Sequence, residues 1–265
     1  MPPLNMNDPD LLRWMSAQST PFGSKYGLGR TGLAGLFLGV VFGSHLTMLV
    51  QMCFGALAWR LALVRWCLYV VFLSFFHAME FLTTALYKWR DLSYDSWLLN
   101  HSTAYGLAAA AAIVEFWVEV LVAPALKEAP AVLGAGVLVV VCGHAARVGA
   151  MFTCGEHFAH RIMVAKEPGH RLVTHGIYAY LRHPSYTGWF WWSIGTQLVL
   201  GNPLCVLAYA RASWGFFADR IPFEEETLRE FYPGEYQAYA ARTFVLIPFI
   251  PETGGGGDDD DRHAD

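Results

Sequence analysis

At 265 residues, 55% hydrophobic and only 15% charged, with a mean hydropathy of +0.33, the chain lies outside the composition of soluble domains and reads as a multispanning membrane protein. Its formal charge is -4, and four of the acids sit together at Asp258 to Asp261 behind Gly254 to Gly257. The remainder is close to neutral, which excludes a nucleic-acid partner. Five cysteines are scattered mostly through apolar segments without a CxxC pair or regular spacing, so they read as inert buried thiols rather than a disulfide framework.

Residues 1–27 are polar, rich in Pro and Asn, and carry acids as well as bases, which matches neither a cleavable signal peptide nor a transit peptide. The first hydrophobic helix is then expected to act as its own insertion signal. Four apolar stretches follow, at 31–55, 66–87, 101–123 and 131–152, and each has the roughly 20 residues that a spanning helix needs. A polar segment at 153–184 comes next. Two shorter apolar runs, 187–201 and 203–218, are joined at Gly201-Asn202-Pro203, a turn signal that predicts a short helical hairpin, tilted or partly inserted. The expected fold is all-α, with about six transmembrane helices, the last two forming the hairpin. Its divisions are a polar segment at 1–27, four spanning helices within 28–152, a cofactor-binding and catalytic region at 153–250, and an acidic, disordered tail at 251–265.

Charge placement predicts the orientation. Six crossings put Arg13, Lys25, Arg30, Lys88, Arg90, Arg161, Lys166, Arg171, Arg182, Arg220, Arg229, Arg242 and Arg262 on the side of the termini, against Arg60, Arg65 and Lys127 on the other. This bias obeys the positive-inside rule and turns the termini and the 153–184 loop toward the cytosol. No soluble catalytic domain remains, so any site must be built from the C-terminal loops and helix ends.

The stretch His170 to Trp192, HRLVTHGIYAYLRHPSYTGWFWW, concentrates His, Arg and Pro between apolar segments. Ionisable groups where water is scarce are costly and mark a place that binds something polar. A metal site is one reading of His157, His160, His170, His175 and His183, but no carboxylate stands as in H-E-x-x-H and no thiol pair supports it. Hydrogen bonding to an anionic or zwitterionic ligand uses this content better. Within it, Arg182-His183-Pro184-Ser185-Tyr186 precedes a helix whose free N–H groups suit a carboxylate or phosphate. An ordinary capped helix with an aromatic belt accounts for Trp189, Trp191 and Trp192 but not for the Arg-His pair.

Two weaker signals carry bland readings. Gly134-Ala135-Gly136 has no preceding strand and lies in an apolar helix, where small residues permit close packing rather than nucleotide binding. The sequon Asn100-His101-Ser102 falls at a membrane boundary on the cytosolic side. The segment Asp219 to Glu230, DRIPFEEETLRE, is chemically richer: if Pro222 only kinks it, Arg220 and Glu224 share a helix face. Glu225, Glu226, Arg229 and Glu230 read as surface ion pairs of a solvated helix.

From about Leu68 to Phe249 the chain resembles the isoprenylcysteine carboxyl methyltransferases. The matching stretches are His77-Ala78-Met79-Glu80, Asp95 to Ser102, Ala150 to Thr153, Leu172 to Tyr178, Arg182 to Trp189, Gly195-Thr196-Gln197 and Asn202-Pro203. The resemblance implies methyl transfer from S-adenosylmethionine to the C-terminal α-carboxylate of prenylated cysteine in CaaX-processed proteins, at the endoplasmic reticulum membrane with the site facing the cytosol. It implies cofactor binding by His170, Arg171, Leu172, Val173, Tyr178, His183, Pro184, Ser185, Tyr186 and Glu224, and associates Arg220 with the substrate carboxylate. Met163 stands where the family has a polar cofactor contact, Met79 where it has a serine, and Ile221-Pro222-Phe223 where it has a more acidic, helical run.

Methylating a carboxylate needs no general base, because an α-carboxyl with a pKa of about 3.5 is already ionised at neutral pH. The expected site therefore supplies positioning and desolvation, with Arg220 orienting the carboxylate, His183 and backbone N–H groups meeting the cofactor carboxylate, and Glu224 meeting its ammonium or ribose. The alternatives are a phospholipid N-methyltransferase of the same superfamily, whose amine acceptor must shed protons, and a non-catalytic membrane lipid-binding or transport protein.

Overall fold

The computed structural model describes residues 9–55, 61–166 and 169–250. The tail at 251–265, and Arg60 and Arg262 of the charge count, lie outside the described residues. Among the described residues there are eight α-helices: α1 (Pro9–Gln18), α2 (Leu28–Cys53), α3 (Leu61–Tyr87), α4 (Thr103–Val122), α5 (Pro130–Cys154), α6 (Pro184–Leu200), α7 (Pro203–Phe231) and α8 (Glu235–Ala240). The described residues contain no strand, only an isolated parallel bridge between Leu181 and Phe244. Helices α2 to α5 are the four that are long and apolar enough to cross a membrane.

The hairpin turn falls where Gly201-Asn202-Pro203 predicts, with Gly201 in the left-handed region at φ 67°. The second arm departs from expectation. Rather than ending near 218, α7 continues through Pro222 to Phe231 and absorbs the whole charged segment. Proline removes one backbone hydrogen bond. The helix is held on both sides of it by a buried stripe spaced four residues apart, Ser213, Phe217, Ile221 and Glu225.

Two compact units divide the chain, one formed by residues 1–144 and 191–209 and the other by 145–190 and 210–265. In the first, small residues let helix backbones touch. A β-carbon on Gly136 would lie 2.6 Å from the amide nitrogen of Val199, and one on Gly195 would lie 2.8 Å from that of Val140. This is the packing role expected of the Gly134-Ala135-Gly136 run, although Gly134 itself faces open space.

Polar groups in this unit are spent on structure. Arg65, fully buried, donates to the carbonyls of Lys127 (2.9 Å), Ala129 (2.6 Å), Leu198 (3.1 Å) and Val199 (2.8 Å). Lys127 Nζ donates to Glu119 (2.6 Å), the Gly201 carbonyl (2.8 Å) and Asn202 Oδ1 (3.0 Å). Glu115 accepts the amides of Leu204 and Cys205, each at 2.7 Å, and so caps the start of α7. The DSWLLNHS run is likewise structural. It makes a 3-10 turn at Tyr94–Trp97, and Ser102 then caps α4 by accepting from Tyr105 N. The carbonyl of Trp97 accepts Nδ1–H of His77 at 2.8 Å, joining two of the matching stretches. Asn100 donates its amide to Asp95, so the sequon asparagine is occupied within the fold.

Candidate functional site

The second unit contains the end of α5, the loop to α6, the first turns of α6, most of α7, α8 and the chain up to Ile250. Its loop is fixed at both ends. A β-carbon on Gly176, at φ 58°, would press within 2.9 Å of Thr153, which is why only glycine suits this approach. Residues 180–182 pair with the C-terminal segment: Phe244 N donates to the Tyr180 carbonyl at 3.0 Å and Arg182 N to the Phe244 carbonyl at 3.1 Å.

These elements line an open cleft of the concave kind that small-molecule sites use. All ten residues expected at the cofactor line it: His170, Arg171, Leu172, Val173, Tyr178, His183, Pro184, Ser185, Tyr186 and Glu224. They come from three separate stretches of chain. Met163 also lines the cleft, as do Cys154, Arg182 and four side chains that sequence reasoning missed, Phe231, Tyr232, Tyr236 and Tyr239.

Among the buried polar atoms of lining residues, Glu224 Oε2, Tyr232 Oη and Tyr236 Oη have no hydrogen-bond partner. Each orphaned buried polar atom costs on the order of 1–3 kcal/mol, more when charged. A carboxylate oxygen and two phenol hydroxyls lining one cleft fit a ligand that carries an ammonium or hydroxyls and an acceptor group, together with an apolar body. Burial pushes the Tyr178 phenol upward, helped by the neighbouring Cys154 thiol and the Glu224 carboxylate, and burial does the same to Tyr236. Both therefore stay neutral donors across the physiological range.

The Arg182-His183 pair has a definite explanation. Oε1 of Glu225 accepts Nε–H of Arg182 at 2.6 Å and Nε2–H of His183 at 3.1 Å, while Oε2 faces Arg229 at 3.4 Å. Arg182 also donates to the Thr243 carbonyl at 2.8 Å, which ties the C-terminal segment to the motif. Glu225 is 1% exposed, so the surface ion pair expected of it is overturned. The reason is helical phase: 225 follows 213, 217 and 221 on the inward stripe of α7. That four-residue spacing was the available signal. Breaking such a buried pair costs roughly 3–5 kcal/mol.

His183 consequently does not turn its Nε2 to the cleft. Its Nδ1 lies 3.7 Å from Glu224 Oε2, and its ring stacks on Tyr186 with centroids 5.5 Å apart and planes 4° from parallel. The Ser185 hydroxyl accepts from Arg147 at 3.1 Å, a buried arginine of α5 that the charge count passed over. Pro184 opens α6, and its first turn leaves the amides of Ser185 and Tyr186 without intrahelical acceptors.

Arg220 stands apart from the ten. It does not line the cleft, but donates Nε–H to the Tyr186 hydroxyl at 2.9 Å and Nη2–H to the His160 carbonyl at 2.6 Å. Its guanidinium lies 5.4 Å from the Tyr186 ring centroid and 5.6 Å from that of Phe216. Arg220 and Glu224, expected to act side by side, thus meet at the Tyr186 hydroxyl, and Glu224 also approaches His183.

Comparison with known proteins gives the family. A family model described as the isoprenylcysteine carboxyl methyltransferase (ICMT) family matches residues 136–230. The chain is 43% identical over 215 residues to the protein-S-isoprenylcysteine O-methyltransferase of Homo sapiens, covering 81% of this chain and 72% of that one. It is 42% identical over 189 residues to the protein of the same name from Saccharomyces cerevisiae, covering 69% and 79%. Among solved structures, it is similar to a eukaryotic intramembrane Ras methyltransferase ICMT, with a TM-score of 0.78 at 36% identity over 93% of this chain and 88% of that one. On these matches the chain belongs to the isoprenylcysteine carboxyl methyltransferase family.

Proposed function

We propose that this membrane enzyme transfers a methyl group from S-adenosylmethionine to the C-terminal α-carboxylate of prenylated cysteine in CaaX-processed proteins, at the cytosolic face of the endoplasmic reticulum membrane. The observation that carries the reading is the cleft itself. Residues from 170–173, 178–186 and 224 converge on one cavity that holds an orphaned carboxylate oxygen and two orphaned hydroxyls. Relatives sharing this segment are named protein-S-isoprenylcysteine O-methyltransferases.

The roles follow from chemistry. The donor, when bound, supplies a methyl on a sulfonium. Glu224 Oε2 meets its ammonium or ribose hydroxyls, the phenols of Tyr232 and Tyr236 donate to its acceptor atoms, and the aromatic faces of Tyr178 and Tyr186 cover the cation. Arg220, steadied by Tyr186 and the His160 carbonyl, orients the substrate carboxylate by its remaining N–H groups. No residue need take a proton, since the acceptor is already ionised. Alignment at near-attack distance and exclusion of water are what the protein provides.

Six crossings are supported by which loops meet. Lys127, between α4 and α5, and Asn202, between α6 and α7, lie on connections that alternate topology assigns to the non-cytosolic side, and they pair, while Arg65, near the start of α3, donates to the Lys127 carbonyl. Lys25 and Asp95, assigned to the cytosolic side, pair at 3.0 Å. The prenyl chain is best kept in lipid while the donor arrives from water, which favours a site at an interface. Incubating detergent-solubilised protein with labelled S-adenosylmethionine and a prenylated cysteine analogue tests the reading. Transfer to the analogue is expected, and labelling of phospholipid amines instead would replace it with the rival activity.

A further inference from the structure

We propose that Glu225 is a positioning residue that turns His183 into a hydrogen-bond acceptor toward the cleft, so that His183 Nδ1 and Glu224 Oε2 form a paired acceptor site for a primary ammonium. The proposal rests on the reading of the cleft as the methyl-donor site and deepens it.

An ionised carboxylate can only accept hydrogen bonds. Glu225 Oε1 stands 3.1 Å from His183 Nε2 and 2.6 Å from Arg182 Nε, so Nε2 must carry the proton that makes the first of these bonds. In a neutral imidazole a proton on Nε2 leaves a lone pair on Nδ1. That nitrogen lies 3.7 Å from Glu224 Oε2, an atom that is buried and has no hydrogen-bond partner. Two acceptors side by side, one of them anionic, match a group that offers several N–H donors and a positive charge. They repel a carboxylate, so the end of the ligand that carries the carboxylate belongs elsewhere in the cleft.

The ring has little freedom to change this arrangement. It is 5% exposed, stacked on Tyr186 and tied at Nε2, while Glu225 is itself gripped by Arg182 and Arg229. Glu225 does not line the cleft. It acts through the tautomer and angle of His183, as a carboxylate behind a metal-bound histidine does.

The readout that separates positioning from mere support is ligand discrimination. Calorimetry is carried out on the full-length protein with S-adenosylhomocysteine and with its analogue lacking the α-amino group. In the native protein the amino-bearing ligand is expected to bind at least about tenfold tighter. Glu225→Gln, whose amide can face Nε2 and move the ring proton to Nδ1, is expected to erase that preference while leaving the affinity for the deaminated analogue within about twofold. Equal weakening of both ligands shows a structural role and overturns the proposal. Glu224→Gln distinguishes the underlying reading: if it leaves affinity for both ligands unchanged, the donor-site assignment itself fails. Should Glu225→Gln not fold, ¹⁵N spectra of histidine-labelled native protein decide, with the His183 signals assigned by their loss in His183→Gln. A neutral ring protonated at Nε2 is expected, and protonation at Nδ1 overturns the proposal.

Discussion

Arg220 donates Nε–H to the hydroxyl of Tyr186 at 2.9 Å, while the Tyr186 ring lines the cleft and stacks on His183. One tyrosine thus touches both the arginine assigned to the acceptor and the histidine assigned to the donor. Arg220→Ala is expected to lower methylation of a prenylated cysteine about 100- to 1000-fold, the usual loss when a preorganised charge-stabilising donor is removed. Donor affinity measured by calorimetry should hardly change. An equal loss of both would show that the role of Arg220 is not confined to the acceptor.

Tyr236 offers a test without an ion. Its hydroxyl is buried and unpartnered, and its side chain is 1% exposed, so Tyr236→Phe removes an unsatisfied group without leaving a large void. The donor-free protein should melt at the same or a higher temperature. Donor affinity should fall about tenfold, the value of one lost hydrogen bond of roughly 1.4 kcal/mol. Lower thermal stability in the donor-free variant would show that the hydroxyl already serves the fold.

Glu225→Ala leaves Arg182 and His183 buried beside an empty site. The expected loss is about 3–5 kcal/mol of stability, read from denaturant unfolding of the second unit's tyrosine fluorescence. A change below about 1 kcal/mol would place the pair in the class of solvent-screened surface bridges.

Alkaline pH supplies a further check. Burial holds the phenols of Tyr178, Tyr236 and Tyr239 above their ordinary range. A group whose folded pKa is raised binds its proton more tightly when folded, so stability is intact below the unfolded value near 10 and declines as pH rises beyond it. Tyrosinate absorbance should accordingly appear together with unfolding for these three. Ionisation of these phenols in a protein that remains folded would contradict their burial.

Much of this was legible along the chain because it depends on local pattern. Runs of about 20 apolar residues can do little else than span a bilayer, and α2 to α5 fall close to the expected limits. Gly201-Asn202-Pro203 breaks a helix by backbone chemistry alone, and the stretch His170 to Trp192 stood out by its His and Arg content among apolar segments. Pro222 was the local signal that misled, since a helix buried on both sides of a proline outlasts one lost hydrogen bond.

What the tertiary structure decided was partnership. Charge and spacing could not tell Glu224 from Glu225, adjacent acids on one helix. Their positions differ by 100° around the axis, about the angle per residue of an α-helix, so one faces the cleft with a bare oxygen while the other is buried against Arg182 and His183. The same holds for Arg65 and Lys127, countable in sequence as loop charges but spent inside the fold on carbonyls and a carboxylate. Sequence determined that a polar site had to exist beside the membrane helices, because burying such groups is costly. Only the packing of α6, α7 and α8 around one cleft decided which of them are satisfied by the protein and which remain for a ligand.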